Sequence, residues 1–391
     1  MRALPRLIHG MRGRPRPTSR LLSSQTAYNS APGAAQPKVA VLHQAIEPPV
    51  INGMRKPMKP GGYEDSGADI LFGFQKAGTA VVTPTENPSA TKDEGWCFPD
   101  TESGILEAVS RGATHLWANT ILFASHPLQT SKELSQYAST LRVVGQPPQL
   151  VEQYDDKNFV NELLRRDGSF DLPRSCLVRS FEDALFNKLK IPIVAKPLRG
   201  RGSQGVFYCE NVNRLVRHVE YLLEDYSTVM LEEYLSGEEG TVTVLPPSST
   251  NPEYSALPIV LRFNHEEGIA PYSGKVAVLE NSRVLSMWER NSDSSYLDIE
   301  KACERVAAKL NVTAPIRIDV RRFSQNKDSK FAIFDVNMKP NMTGPGRPRR
   351  ENQASLTALA ASAVGWDYPQ LLQEILAPAQ TLQHLRSQSL P

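Results

Sequence analysis

Apolar residues recur along this chain with two periods, and the switches between them mark its elements. In KVAVLHQ, residues 38 to 44, they run as a first strand, and Ile70, Leu71, Phe74 and Ala77 then follow at the spacing of one helix face. TAVVTP is strand-like, SGILEAVSRGA helical and HLWANTILF strand-like again. Strand, helix, strand, helix, strand predicts a parallel α/β sheet with helical crossovers over residues 38–148.

A second pattern starts at LRVVGQPPQLVEQYDDKNFVNELLRR, where a short strand and a Gly-Pro turn precede a helix. Strands are predicted at CLV, IPIVAKPL, GVFY, VMLEEYL and TVTVL, with one clear helix, VNRLVRHVEYLLEDY, among them. From Pro258 the strand candidates are LPIVLRF, KVAVLE, PIRIDVRRF and KFAIFDVN, with the helix DIEKACERVAAKL between them. Many strands with few helices make both stretches α+β, with boundaries expected at 149–235 and 236–377. NQASLTALAASAV and YPQLLQEIL are C-terminal helices, and residues 378–391 are expected to form a loosely held polar tail.

Composition narrows the partners. The 391 residues, 40% hydrophobic and 22% charged, suit a soluble protein of two or three domains. No apolar run approaches bilayer-crossing length, so no membrane partner is expected. Cys97, Cys176, Cys209 and Cys303 lie far apart, which argues against a disulfide framework or a zinc site and fits a reducing compartment. The net charge of +2 includes six arginines within residues 1–20, so everything after them carries −4, and nucleic acid is not an expected partner. That Arg-rich segment lacks acids and contains serine, which reads as a mitochondrial presequence over 1–37 or as a disordered tail.

Three segments carry candidate chemistry. IRIDVRRF and KFAIFDVN are joined by SQNKDSK, a connector suited to a hairpin. Centred near Lys327, the hairpin pairs Asp319 with Asp335 and Arg317 with Asn337, all on one face. Two facing carboxylates repel unless a cation lies between them, and carboxylate and amide oxygens are the ligands magnesium takes. For any single residue a solvated charged hairpin face explains as much; four matched polar positions weigh against it. In IPIVAKPLRGRGSQGVF, Lys196 precedes Gly200, Gly202, Ser203 and Gly205, a loop able to bring N–H groups to an anion, or a plain hairpin. In VMLEEYLSGEEGTVTVL, Glu232, Glu233, Glu238 and Glu239 flank a Ser-Gly turn, as ligand acceptors or as ordinary charge around a hinge.

In order, DDKNFVNELL, VAKPLRGRGSQGV, VMLEEYLSGEEGTVTVL and RIDV with FDVNMKPNMTG resemble the ATP-grasp superfamily, most of all the D-alanine-D-alanine ligases, over residues 38 to 375. The resemblance implies an N-terminal parallel α/β domain followed by an ATP-grasp fold of two α+β subdomains with ATP between them. It implies an ADP-forming ligase that joins a small carboxylate to an amine through an acyl phosphate. Lys157 and Lys196 would hold the phosphates, with Ser203 and Gly205 in the loop closing over them. Glu232 and the Glu233–Leu235 backbone would meet adenine, and Glu239 the ribose. Asp319, Asp335 and Asn337 would hold two magnesium ions, for which manganese could substitute, and Arg317 would stabilise the tetrahedral intermediate. A kinase acting on a small molecule and a non-catalytic ATP-binding regulator are the alternatives, and a homodimer is compatible with either.

The chain departs from that pattern where substrates bind. Asp335 replaces the family's glutamate, Pro340-Asn341 replaces Pro-Gly, and GPGRPRR replaces a serine-containing carboxylate pocket. KVAVLHQAIEPP lacks the family's first-substrate signature, so D-alanine is not the expected substrate. Asn341 and Arg347 are the expected contacts of the second substrate, with Arg347 as a planar fork for its anionic group.

Overall fold

The computed structural model describes residues 36–266, 268–269 and 278–390. Most of the segment expected as a presequence lies outside them. The first sheet is parallel along β1 (Lys38–His43), β2 (Ala80–Val81), β3 (His115–Asn119) and β4 (Arg142–Val144), in the order β2-β1-β3-β4, and the short pair Phe98–Pro99 adds parallel to the end of β1. Helices α1 (Glu64–Lys76) and α2 (Glu102–Ser110) cover its two faces. As strand alternation requires, Val39 and Val41 pack with Ile70, Leu71 and Phe74 of α1, while Ala40 and Leu42 pack with Ile105 of α2.

Helix α3 (Lys157–Asp167) leads into an antiparallel sheet of β5 (Ser175–Val178), β6 (Ile193–Pro197), β7 (Phe207–Cys209) and β8 (Val229–Glu233), ordered β7-β6-β8-β5. Leu215, Val219 and Leu222 of α4 (Val212–Asp225) cover it and give it a core of its own. The third sheet contains β9 (Glu239–Leu245), β10 (Val260–Arg262), β11 (Ser282–Val284), β12 (Ile316–Arg322) and β13 (Phe331–Asn337), ordered β11-β10-β9-β12-β13 and antiparallel. It packs on Cys303, Val306 and Ala307 of α5 (Ser294–Lys309) and shares both of its cores with the parallel sheet.

Two expectations need correction. KVAVLE is not a described strand: residues 275–277 lie outside the described set, and Val278–Asn281 is a helical turn. Its ends, Val278 and Asn281, are buried and the residues between them exposed, a spacing of three that suits a turn of helix. The strand comes later, as β11. Nor is the C-terminal segment a loose tail. After α6 (Leu356–Ala363) and α7 (Tyr368–Leu376), Gln380 pairs antiparallel with Val143 of β4. Helix α8 (Leu382–Ser387) then buries Leu382 and Leu385, an apolar pair three apart in an otherwise polar stretch. Helix α7 packs on α1, so the chain closes on the domain it began with.

Candidate functional site

A cavity of 310 Å³ is lined by residues of all three sheets. Its floor is the β12–β13 hairpin. The register is Arg317 opposite Asn337 and Asp319 opposite Asp335, as the sequence predicts, but it shifts by one beyond Asp319, where Val320 pairs with Ile333. Phe334 is the extra residue of this bulge. Arg317 donates to both carboxylate oxygens of Asp319, at 3.0 and 3.1 Å. Thr241 Oγ1 (2.8 Å) and Asn337 Nδ2 (3.1 Å) also donate to that carboxylate.

Helix α3 delivers Lys157. The Asp156 carboxylate accepts from the N–H groups of Asn158 and Phe159, which fixes the helix start, and Val160 and Leu164 anchor the first turns in the core. The Lys157 ammonium then lies 2.9 Å from Asp335 Oδ1. Lys196 reaches the same place from β6, donating to Glu232 Oε2 at 2.6 Å and to the carbonyl of the bulged Phe334 at 3.2 Å. Lys196 and Glu232 are both buried, and a pair held out of water is stronger evidence for a role than for stability.

The charges set one another. Burial works to raise the Asp335 carboxyl, but Lys157, Lys196 and Arg317 outweigh it and hold the group below its usual range. Burial likewise works against the charged form of Lys157, and Asp335 more than compensates, so its pKa is raised. At Glu232 burial wins, and the carboxyl stays above its usual range despite Lys196.

The other expected residues divide. Ser203 lines the cavity at φ +58° in an exposed loop, whereas Gly205, at φ +70°, packs behind the lining against Pro197 and Leu222. Glu233 and Leu235 line it, with Glu233 paired to Arg174 at 3.2 Å. The N–H groups of Glu233 and Tyr234 are engaged by the carbonyls of Arg174 and Pro192. Glu239 lines the cavity between His265 (2.9 Å) and Arg321 (3.3 Å). Asn341 lines it too, its side-chain oxygen accepting from Thr343 Oγ1 at 3.1 Å.

Arg347 is the correction. It is 1% exposed, does not line the cavity, and donates to Asp69 Oδ1 (2.6 Å), the Lys92 carbonyl (2.7 Å), the Asp65 carbonyl (3.2 Å) and the Asp93 carboxylate. Its fork is used up in holding the loop after β13 to α1. Arg350 joins it, bidentate on Asp69 at 3.0 and 3.1 Å.

Several lining residues went unassigned in the sequence: Lys56, Lys59, Tyr63, Arg201 and Lys339. MRKPMKPGGY held a signal, two lysines each followed by proline ahead of a Gly-Gly turn. Burial, then Lys59 and Arg201, lowers Lys339 well below the ordinary lysine range, although Asp65 opposes them.

Among the described residues no three His, Cys, Asp or Glu side chains are grouped to hold a metal by themselves. Asp319, Asp335 and Asn337 nevertheless offer two carboxylates and an amide on one face, the oxygen donors of a hard cation that draws its other ligands from phosphate and water.

The family model described as "D-ala D-ala ligase C-terminus" matches residues 174–377, more than half of the chain. D-alanine–D-alanine ligase A of Bacillus cereus is 28% identical over 224 residues, 56% of this chain and 66% of that one. A D-alanine–D-alanine ligase of a Thermotoga species is 26% identical over 212 residues, 54% of this chain and 63% of its own. The matched segment thus spans just under two thirds of the length of these curated relatives. Among solved structures, D-alanine–D-alanine ligase from Bacillus anthracis complexed with ATP superposes with a TM-score of 0.59 at 18% identity, covering 89% of this chain and 98% of that one. The VanG D-Ala:D-Ser ligase from Enterococcus faecalis gives 0.56 at 13% identity, covering 90% and 100%. These likenesses show the fold expected from the sequence, an α/β domain followed by two ATP-grasp subdomains.

Proposed function

We propose that this chain, which belongs to the D-ala D-ala ligase C-terminus family, is an ATP-dependent ligase that joins a carboxylate to an amine and releases ADP and phosphate. One observation carries the reading: Asp319, Asp335, Asn337 and Arg317 share a hairpin face that meets Lys157 and Lys196 in a single cavity. A carboxylate oxygen attacks the γ-phosphorus of ATP, the bond to ADP breaks, and an acyl phosphate forms. The amine nitrogen then attacks the acyl carbon, loses a proton, and phosphate leaves with the C–O bond pair.

Lys157 and Lys196, paired with Asp335 and Glu232, would exchange those partners for the transferring phosphate. Magnesium, held by Asp319, Asp335 and Asn337, would supply charge neutralisation between phosphate groups. Arg317 stands beside that set to stabilise the oxyanion that develops as the amine adds. Glu232 and the Glu233–Leu235 segment line the cavity where adenine would lie, and Glu239 is the carboxylate for ribose hydroxyls. With the N–H groups of Glu233 and Tyr234 engaged, adenine recognition falls to the remaining backbone groups of this segment. Ser203 and Gly205 belong to a turn with several positive φ angles, suited to closing on phosphates.

Purified protein with ATP, magnesium and pooled carboxylates and amines, followed by ADP release and product mass, tests this reading. An amide with stoichiometric ADP supports it. A phosphorylated product without amide makes the protein a kinase, and nucleotide binding with no ADP from any pool makes it a non-catalytic binder. Mitochondrial import is tested separately, by fusing residues 1–37 to a reporter; a cytosolic reporter refutes it. A homodimer would show as twice the 43.3 kDa chain mass in light scattering.

A further inference from the structure

We propose that His265 is a positioning residue for the nucleotide sugar: together with Arg321 it fixes the Glu239 carboxylate, and through that carboxylate it sets a preference for ribose over deoxyribose. The inference rests on the assignment of Glu239 to ribose and deepens it, by naming what holds that acid and which donor it takes.

The third sheet places Glu239 in a row of charges. Glu239 on β9 lies opposite Arg262 on β10 and opposite Arg321 on β12, and directly opposed residues share a face. His265 follows β10 closely, in a turn where the backbones of Glu266 and Ile269 exchange two bonds of 3.0 Å. Its Nε2 lies 2.9 Å from Glu239 Oε2, and Arg321 Nη1 lies 3.3 Å from the same oxygen. Arg321 is itself held in place. It donates to the carbonyls of Gly237 (3.1 Å) and Gly268 (2.8 Å) and to the Tyr234 hydroxyl (3.0 Å), with its guanidinium 4.9 Å from the centre of the Tyr234 ring.

Both anchors act on Oε2. No donor among the described residues reaches Oε1, although Glu239 is only 7% exposed and lines the cavity. The charge of this acid is answered and its second oxygen is not. With two arginines beside it, a further cation, such as the ammonium of an amine substrate, would be repelled, whereas a neutral hydroxyl adds a donor without adding charge. The hydroxyls that ATP carries at neutral pH are those of its ribose.

A glutamate already anchored through one oxygen gives up less side-chain freedom on accepting a hydroxyl than an unanchored one, so the anchors translate into affinity for the sugar. His265 supplies the shorter of the two contacts. Its side chain is 20% exposed, so replacing it leaves the packing of the sheet intact.

The full chain with magnesium is titrated in a calorimeter with ADP, 2′-deoxy-ADP and 3′-deoxy-ADP. A hydrogen bond to a charged acceptor predicts that ADP binds about tenfold more tightly than at least one deoxy form, and the penalised form identifies the hydroxyl. Glu239→Ala abolishes the preference. His265→Ala lowers it to about threefold or less, His265→Gln restores part of it by keeping a side-chain N–H, and the Kd of the penalised deoxy form stays within about twofold in both. A preference lost in Glu239→Ala but unchanged in His265→Ala overturns the inference and leaves Glu239 on the ribose. Equal weakening of ADP and the deoxy forms in His265→Ala also overturns it, since the residue would then only support the turn. Wild-type protein that binds all three nucleotides equally, or a preference that survives Glu239→Ala, takes the ribose away from Glu239 and the inference with it. Because the titration reads binding, a protein that forms no amide refutes the ligase reading and leaves this result standing.

Discussion

Arg347→Ala should destabilise the protein without touching the proposed nucleotide site. The guanidinium serves four acceptors from inside the core: Asp69, the carbonyls of Lys92 and Asp65, and Asp93. Asp69 is itself 2% exposed. Removing one partner of a buried ion pair costs about 3–5 kcal/mol, because the remaining charge stays out of water without its counter-charge. Asp69 would keep Arg350 at 3.0 and 3.1 Å and the Gly344 N–H at 3.3 Å, which places the loss near the lower bound, about 3 kcal/mol. Urea denaturation followed by the fluorescence of Trp96 and Trp117, both buried in the parallel domain, measures it. Combined with Asp69→Ala, the pair should show a coupling of roughly 0.5–3 kcal/mol. Arg347→Lys should recover only part, since an ammonium cannot reach acceptors spread around a planar fork. A loss below about 1 kcal/mol, accompanied by weaker binding of an anionic ligand, would refute the buried-anchor argument and return Arg347 to the substrate site.

Other outcomes follow from the same geometry. Asp335→Asn and Asn337→Ala should each lower ADP formation by roughly 10²-fold or more with the fold intact by circular dichroism, and near-normal turnover at low magnesium would remove them from the metal set. Lys196→Ala should weaken ATP binding more than AMP binding, as measured by titration, and equal weakening would move Lys196 off the phosphates. Gly344→Ala would place a Cβ 2.1 Å from the Tyr368 ring, whose hydroxyl donates to the Met342 carbonyl, so it should cost roughly 1–3 kcal/mol in denaturation, and a neutral result would refute that packing. His115 has a folded-state pKa lowered from 6.5 to about 4 by burial and then Arg142, so the unfolded chain binds the extra proton. Its effect is absent above pH 6.5 and destabilises the protein progressively as pH falls towards 4, by on the order of 2 kcal/mol, and His115→Gln should flatten that part of the pH–stability curve.

The motifs that face the cavity were legible because strand periodicity alone puts alternate residues on one side. Asp319, Asp335, Arg317 and Asn337 needed only the hairpin's centre to be placed. Arg347 was misread for a physical reason: a fork suited to a substrate carboxylate is equally suited to a protein carboxylate, and the counter-charge Asp69 lies 278 residues earlier in the chain. Lys339 went unassigned for a similar reason, since its surroundings come from Tyr63, Lys59 and Arg201, on two other segments. The C-terminal strand was hidden by its two-residue length, which gives periodicity nothing to repeat.

The bulge at Phe334 shows how packing and chemistry are joined in one residue. Phe331, Ile333 and Val336 all face the core that also holds Ile318 and Val320. In a regular strand residues 331 and 333 share a face with 335 and 337, so Phe331 and Ile333 would stand beside Asp335 in the cavity, and Ala332 and Phe334 would join Val336 on the core side. The odd step of three from Ile333 to Val336 can be satisfied only by an extra residue, and that residue is Phe334. Bulging takes its carbonyl out of the regular ladder, and Lys196 donates to that oxygen at 3.2 Å. The same one-residue insertion therefore sends Ile333 into the core while Asp335 and Asn337 keep facing the cavity, and it gives the buried lysine of the neighbouring sheet a neutral acceptor besides Glu232. With both acceptors in place, Lys196 is held at the hairpin, which would reduce the ordering cost of the phosphate contact proposed for it.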